Sequence, residues 1–272
     1  MMAVLVVGII AVALSLTLLG SSTPNQAAPG HPGRATAATS TTTTTTTATE
    51  PLVGKVVGID PGHNGLNYTE PSVINQDVWN GREEEACDTT GTETASGYTE
   101  AQFNFNVAGF LAADLTSEGA KVVMTRPNNS GVGPCITQRA AIINNAHADV
   151  AIDIHADGGP TTGRGFAILE PVADGPNNGI IAPSQTFGND LKSAFLGTGM
   201  PISSYDGTNG FVLRDDLAGL NLATEPKVLI ECGNMANAVD ASMLVTTQFQ
   251  QAAAKAMAAA ITTYLTQDVP AG

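Results

Sequence analysis

The chain has 272 residues, which is long enough for one large domain with a hydrophobic core or for two small ones. It carries 25 acidic and 11 basic side chains, which give a formal net charge of -14 at pH 7. This acidity argues against a nucleic-acid partner, because such a partner needs a basic face on the protein. The charge does not identify a substrate, since a solvated acidic surface has the same composition.

The first part of the chain differs in composition from the rest. Residues 3–19 form a near-continuous apolar stretch, and the only charged residue before Glu50 is Arg34. We predict that residues 1–30 are a signal peptide or an uncleaved membrane anchor, since about 17 apolar residues is the lower limit for a membrane span. Either outcome places the protein outside the cytoplasm, in the periplasm or cell wall, secreted, or tethered to the membrane.

The remaining chain divides into three parts. Residues 31–51 are rich in Thr and Pro and include an unbroken run from Thr41 to Thr47, so we predict a disordered linker there. Residues 52–266 contain the hydrophobic patterns of a single folded domain. Residues 267–272 form a short tail.

Within the folded domain, apolar runs rich in Val and Ile alternate with helical patterns. Thr99-Glu100-Ala101-Gln102 is a capping box that begins a helix, and Gly119 ends this helix. The alternation predicts an α/β fold with a largely parallel, doubly wound sheet and helices on both faces. The strands are predicted at 54–60, 120–125, 149–155, 164–169 and 227–231, and the other helices at 136–147, 184–196 and 238–265.

Three segments match no regular element: 64–98, 171–183 and 200–212. Long loops in a compact domain are often functional, so these segments could form the walls of a substrate groove. Plain surface decoration is the alternative.

The chain has three cysteines. Cys87 and Cys135 lie in loop sequence, and an exported protein permits disulfides, so we predict a bridge between them. Cys232 follows a buried strand and is expected to be a free core thiol.

Three apolar runs each end in a residue that is suited to zinc hydrolysis. The runs lead to His63, His155 and Glu231. Ligands in open α/β sheets bind at the carboxyl ends of the strands, so we expect these three side chains to lie close together.

A catalytic zinc ion usually takes three protein ligands and leaves a fourth position for water. His63 and His155 supply two of the three. From the residues alone, the third ligand stays open between Glu100 at the first turn of a helix, Glu70, and the run Glu83–Glu85.

Glu231 is the strongest candidate for a catalytic acid or base. It ends a buried apolar run, where an unpaired ionised carboxylate is costly and the pKa of the group can rise toward neutrality. The alternative is an ordinary strand-end glutamate in a salt bridge.

Five sequence words occur in the order of a known family. They make residues 54–265 resemble the zinc-dependent N-acetylmuramoyl-L-alanine amidases of bacterial cell walls, of the LytC/AmiC-like type and closest in form to actinobacterial single-domain members. The words are Gly-Ile-Asp-Pro-Gly-His-Asn-Gly, Val-Val-Met-Thr-Arg, Arg139 with Ala-Ile-Ile-Asn-Asn, Ala-Asp-Val-Ala-Ile-Asp-Ile-His-Ala-Asp, and Val-Leu-Ile-Glu-Cys-Gly-Asn.

The resemblance implies a single domain with a twisted, mostly parallel six-stranded sheet. It implies one Zn2+ per chain, held by His63, Glu100 and His155, with Glu231 as the catalytic glutamate. The implied reaction is hydrolysis of the amide between N-acetylmuramic acid and the L-alanine of the stem peptide, so we expect peptidoglycan or a muropeptide as substrate and a monomeric enzyme. The alternatives are a zinc peptidase of related fold and a non-catalytic peptidoglycan-binding homologue.

The chain departs from the family pattern at two places. The family commonly has Ser-Ile-His-Ala-Asn, where this chain has Asp153 in place of the Ser and Asp157 in place of the Asn. It also commonly has Glu-x-Gly-Phe, where this chain has Asn234 in place of the Phe. Asp153 alternates with His155 along its strand, so we expect it near the metal ligands as a hydrogen-bond partner. Arg214 or Asn234 is a candidate to hold the carboxylate or the carbonyls of the stem peptide.

Overall fold

Six β-strands form the central sheet in the computed structural model, which describes residues 50–268. The predicted leader or anchor of residues 1–30 lies outside the described residues, as do nearly all of the linker of residues 31–51 and the last four residues of the tail. The strands of the sheet are β1 Val56–Pro61, β4 Lys121–Met124, β5 Val150–Asp157, β6 Ala167–Pro171, β7 Phe211–Arg214 and β8 Lys227–Asn234.

The strand order is β4-β1-β5-β8-β6-β7. Strands β4, β1, β5 and β8 are parallel to one another, whereas β6 is antiparallel to β8 and parallel to β7. The predicted six-stranded, mostly parallel sheet is therefore confirmed. Because β1, β5 and β8 run in the same direction, their carboxyl ends meet at one edge of the sheet.

Seven α-helices accompany the strands, and the small hairpin of β2 (Asp77–Trp79) and β3 (Glu84–Ala86) lies apart from the main sheet. The helices are α1 Pro71–Ile74, α2 Glu100–Ser117, α3 Ile136–Asn145, α4 Ile181–Phe195, α5 Ala218–Asn221, α6 Ala238–Leu244 and α7 Thr247–Thr263.

Helices cover both faces of the sheet, as the alternating pattern predicted. On one face, α7 packs against both α2 and α4, and this layer covers strand residues such as Val57 and Ile59. On the other face, Ile143 of α3 packs with Ala151 and Val56. Neighbouring residues of β1 therefore point into different core clusters, which explains why the strands read as continuous apolar runs.

The structure differs from the predicted elements at several places, including the short helix α5, which the sequence did not predict. Strand β7 begins inside the segment 200–212, which was predicted to be a loop. The predicted helix over 238–265 is two helices, because Thr246 begins α7 as its N-cap and accepts a hydrogen bond from the backbone N–H of Phe249 at 3.2 Å. The predicted loop 64–98 contains the hairpin of β2 and β3 and the short helix α1.

All three cysteines are in the state that the sequence predicted. Cys87 and Cys135 form the predicted disulfide, and Cys232 is a free, buried thiol. Within residues 50–268, no helix combines the length and the apolar character that a bilayer span requires.

The disulfide closes a loop of 48 residues and should contribute strongly to stability. The double variant Cys87→Ala/Cys135→Ala should lose about 4 kcal/mol of unfolding free energy, because the open loop gains conformational entropy in the unfolded chain. Urea unfolding of the variant and the wild type measures this difference. Intact mass with and without reductant is the control, and three free thiols in the oxidised protein would contradict the bridge.

Candidate active site

The three predicted ligands come together at one edge of the sheet. His63 lies two residues beyond β1, Glu100 is the first residue of α2, and His155 lies near the end of β5. One ligand atom from each residue lies within 4.8 Å of the other two. Glu100 completes the cluster, and neither Glu70 nor the run Glu83–Glu85 belongs to it.

The N-terminus of helix α2 positions the Glu100 side chain. The Thr99 side chain accepts a hydrogen bond from the backbone N–H of Gln102 at 3.3 Å, so the predicted N-cap is confirmed. The Glu100 carboxylate itself accepts hydrogen bonds from the backbone N–H groups of Thr92 at 2.9 Å and of Ala156 at 3.3 Å. The positive end of the helix dipole also favours an anionic side chain at this position.

Each oxygen of the Glu100 carboxylate faces one imidazole ring. Oε1 lies 2.8 Å from Nδ1 of His155, and Oε2 lies 3.2 Å from Nε2 of His63. The two rings meet edge to face, with centroids 4.9 Å apart. His155 therefore presents Nδ1 to the centre of the cluster, and His63 presents Nε2.

Two glycines leave room for the rings. A Cβ atom at Gly62 would clash with the His155 ring. A Cβ atom at Gly91 would lie 2.7 Å from Cδ2 of His63 and 2.8 Å from Oε2 of Glu100. Gly91 also has a φ of 71°, a backbone conformation that residues with a side chain rarely adopt. The cluster therefore depends on the absence of side chains at both positions.

The charges of the cluster stabilise one another. Burial disfavours a charged His63 ring, but the carboxylates of Glu100 and Asp88 outweigh it and raise the pKa of His63 to about 10. Burial also opposes ionisation of Glu100, yet the two imidazoles hold the pKa of this carboxyl well below its usual range. Two nitrogen donors and one carboxylate, converging beside Gly91, are the donor set of a catalytic zinc ion, so the residues fit this metal.

The other nitrogen of His63 faces a segment for which no sequence motif predicted a role in the site. Nδ1 lies 3.2 Å from the backbone carbonyl oxygen of Thr89 and 3.5 Å from Oδ1 of Asp88. Asp88 is buried, and its Oδ2 accepts a hydrogen bond from Arg139 at 3.2 Å. The available sequence signal was the position of Asp88 directly after Cys87, in a loop that the predicted disulfide would anchor.

Glu231 lies beside the cluster on β8, where the strand register pairs it with His155. It lines a cleft of about 370 Å³ together with the three predicted ligands. Its Oε2 atom is buried and has no hydrogen-bond partner among residues 50–268. Burial raises the pKa of Glu231 well above its usual range, and the negative charges of Glu100 and Asp157 act in the same direction. The alternative of a strand-end salt bridge finds no support in this part of the chain.

Asp153 has a different partner from the one we expected. Its Oδ1 lies 2.9 Å from Nζ of Lys227, and both side chains are almost completely buried. Burial raises the pKa of Asp153 to about 6, although the Lys227 ammonium opposes this shift. Asp153 lines a cavity next to His63 and His155, so it lies near the site as predicted. Its role there is to neutralise a buried lysine, because an unpaired buried ammonium would be costly.

Arg214 lies at the cleft that Glu231 lines. It lines the same cavity as Glu231. Two hydrogen bonds to the Asp216 carboxylate, both 2.7 Å long, hold its guanidinium group in a defined orientation. A cation is therefore available beside the candidate base.

Asn234 requires a correction. It is completely buried, and its amide group donates hydrogen bonds to the carbonyls of Pro160 and Gly163 at 2.8 and 2.9 Å. Its side-chain oxygen accepts the backbone N–H of Ala236 at 2.9 Å. These bonds assign Asn234 to the packing of the loop after β5 and not to a substrate contact.

Known proteins share both the sequence and the fold of this domain. Residues 57–263 match the N-acetylmuramoyl-L-alanine amidase family. The N-acetylmuramoyl-L-alanine amidase Rv3717 of Mycobacterium tuberculosis is 37% identical over 216 residues, which are 79% of this chain and 88% of that protein.

Two solved structures of N-acetylmuramyl-L-alanine amidases called Ami1 are also similar. The protein from Mycobacterium smegmatis superposes with a TM-score of 0.74 at 38% identity and matches 79% of this chain and 98% of its own. The protein from Mycobacterium abscessus gives a TM-score of 0.74 at 39% identity over 79% of this chain and 100% of its own. The matched region contains the whole cluster and the cleft beside it, and the chain belongs to the N-acetylmuramoyl-L-alanine amidase family of enzymes.

Proposed function

We propose that this chain is a zinc-dependent peptidoglycan hydrolase that cleaves the amide between N-acetylmuramic acid and the L-alanine of the stem peptide. The observation that carries this proposal is the convergence of His63, Glu100 and His155 beside Glu231 in one cleft. Family membership supports the choice of the amide bond. It also favours action outside the cytoplasm, which agrees with an export or anchor segment in residues 1–30.

The roles of the residues follow from their positions. His63, Glu100 and His155 would hold one zinc ion. When bound, zinc activates a water molecule and polarises the carbonyl that this water attacks. Glu231 accepts the proton of the attacking water and then donates it to the leaving nitrogen of L-alanine. A desolvated carboxylate suits both steps, because its raised pKa brings it closer to the working pH.

The shape of the surface suits a polymeric substrate. Thr90, Gly91 and Thr92 line the catalytic cleft and also a second cavity of about 590 Å³, which Tyr68 borders. A substrate can therefore extend from Glu231 across the segment 90–92 without entering an enclosed pocket. The predicted role of the segment 64–98 as a groove wall is part of this proposal.

Arg214 is the candidate that binds the stem peptide. Its guanidinium is oriented by Asp216 and faces the cleft that contains Glu231, so it can pair with a carboxylate of the peptide.

Digestion of purified muropeptides tests the reaction and its metal. The full chain should release a peptide with a free L-alanine amino terminus and leave the glycan intact, and a chelator should abolish this release until zinc is restored. Mass spectrometry of the products reads both results. Cleavage inside the stem peptide would support the zinc peptidase instead, and undiminished activity in chelator would contradict the metal.

The variant Glu231→Gln tests the proton transfer. It should lower turnover by about 100- to 10,000-fold, because an amide cannot accept the proton of the attacking water. Zinc content, measured by elemental analysis, should stay at the wild-type level because Glu231 is not a ligand.

Glu170→Gln is the matched control, because Glu170 is a buried glutamate on the neighbouring strand β6 with a raised pKa. Glu170 lies outside the catalytic cleft, so the turnover of Glu170→Gln should equal that of the wild type. Full activity in Glu231→Gln would disprove the assigned role.

The variant Arg214→Gln tests the peptide contact. The KM for a muropeptide with free stem carboxylates should rise by roughly tenfold or more, since a charge-assisted hydrogen bond to the substrate is lost. A substrate whose stem carboxylates are amidated should show a much smaller change. Lys121→Gln, which removes an exposed cation at the start of the edge strand β4, is the control. Equal effects on both substrates would rule out a carboxylate contact.

A further inference from the structure

We infer that Asp88, together with the backbone carbonyl of Thr89, positions His63 for metal binding. This inference rests on the zinc site of the proposed function. It assigns to Asp88 a positioning role, because the residue acts through His63 and not on the substrate.

His63 needs support because of its backbone. It follows β1 in a tight turn with a φ of 57°, which is uncommon for a residue other than glycine. Arg139 holds this turn by donating hydrogen bonds to the carbonyls of Pro61 at 2.9 Å and of His63 at 2.8 Å. These bonds restrain the main chain but leave the ring of His63 free to rotate.

Asp88 and Thr89 supply the missing restraint on the ring. The Thr89 carbonyl lies 3.2 Å from Nδ1 of His63, and Oδ1 of Asp88 lies 3.5 Å from the same atom. The Asp88 carboxylate is itself held in place, since it accepts the backbone N–H of Thr89 at 2.8 Å and a guanidinium N–H of Arg139 at 3.2 Å. The hydroxyl oxygen of Thr89 also lies 3.2 Å from Nδ1. A proton on Nδ1 therefore faces three oxygen atoms that can accept it.

The segment is covalently anchored next to these acceptors. Cys87 precedes Asp88 and is bonded to Cys135, which is the N-cap of α3. Arg139 lies on the first turns of the same helix. The disulfide thus ties the acceptors of His63 to the helix whose arginine holds the His63 turn.

The arrangement selects one state of the ring. Histidines that bind metals usually donate the second ring N–H to a carboxylate or a carbonyl, which fixes the tautomer and the orientation of the ring. With the proton on Nδ1, the lone pair of Nε2 faces Oε2 of Glu100, 3.2 Å away, where the ligand atoms converge. The contacts of Asp88 and Thr89 are therefore those of a positioning group.

Asp88→Asn and Asp60→Asn form a matched pair for the test. Asp60 is also buried and also pairs with Arg139, at 2.7 Å, but its second side-chain partner is Thr125 and not His63. Both variants remove one carboxylate charge from the same arginine. Only Asp88→Asn changes a group that faces the imidazole.

Zinc affinity of the full chain is measured by competition with a chromophoric chelator, and folding by urea unfolding. Asp88→Asn should weaken zinc binding by about 10- to 100-fold, whereas Asp60→Asn should stay within about threefold of the wild type. Equal losses in both folded variants, or no loss in Asp88→Asn, would overturn the positioning role. A wild-type chain that binds no zinc would overturn the metal site itself.

The ring state of His63 is an independent readout that needs no variant. Long-range proton–nitrogen NMR spectra of the zinc-loaded wild-type chain should show the remaining ring proton of His63 on Nδ1. A proton on Nε2 would overturn the inference even if Asp88→Asn does not fold.

Discussion

The carboxylate of Glu100 lies between two imidazoles, and most of the site depends on this contact. A buried carboxylate is costly unless charged or hydrogen-bonded partners surround it. Glu100 finds these partners only because β1, β5 and the start of α2 meet at one edge of the sheet, with Thr92 donating a backbone N–H from the long loop. The stability of this edge and the capacity to hold a metal therefore have the same origin.

A layer of buried ions supports the cluster. Arg139 joins Asp60 and Asp88 to the turn that carries His63, and Lys227 neutralises Asp153 in the neighbouring strands. Breaking any of these pairs would leave an uncompensated charge in the interior, which costs far more than an exposed pair contributes. These pairs thus contribute to the stability of the domain that carries the cluster.

The pKa values of two glutamates in the same cleft are shifted in opposite directions. The imidazoles hold the pKa of Glu100 well below its usual range, despite burial. Among the described residues Glu231 has no such partner, and burial together with neighbouring negative charge raises its pKa. The first is suited to remain an anionic ligand, and the second to exchange a proton. The environment, and not the residue type, separates the two roles.

Local patterns in the sequence predicted most of the secondary structure and most of the candidate site residues. Strand and helix periods, the N-cap at Thr99 and the positions of His63, His155 and Glu231 at strand ends could be read directly, because each depends on neighbours along the chain. The second half of the predicted capping box does not form, because the Gln102 side chain bonds Asn106 and Asn129 instead. From residues alone, the choice of Glu100 as the third ligand stayed open, and only the resemblance to the family selected it. Tertiary structure decided the partners of the buried charges: Asp88 with His63, and Asp153 with Lys227. These pairs join segments distant in sequence, and a buried charge is stabilised by what lies nearest in space.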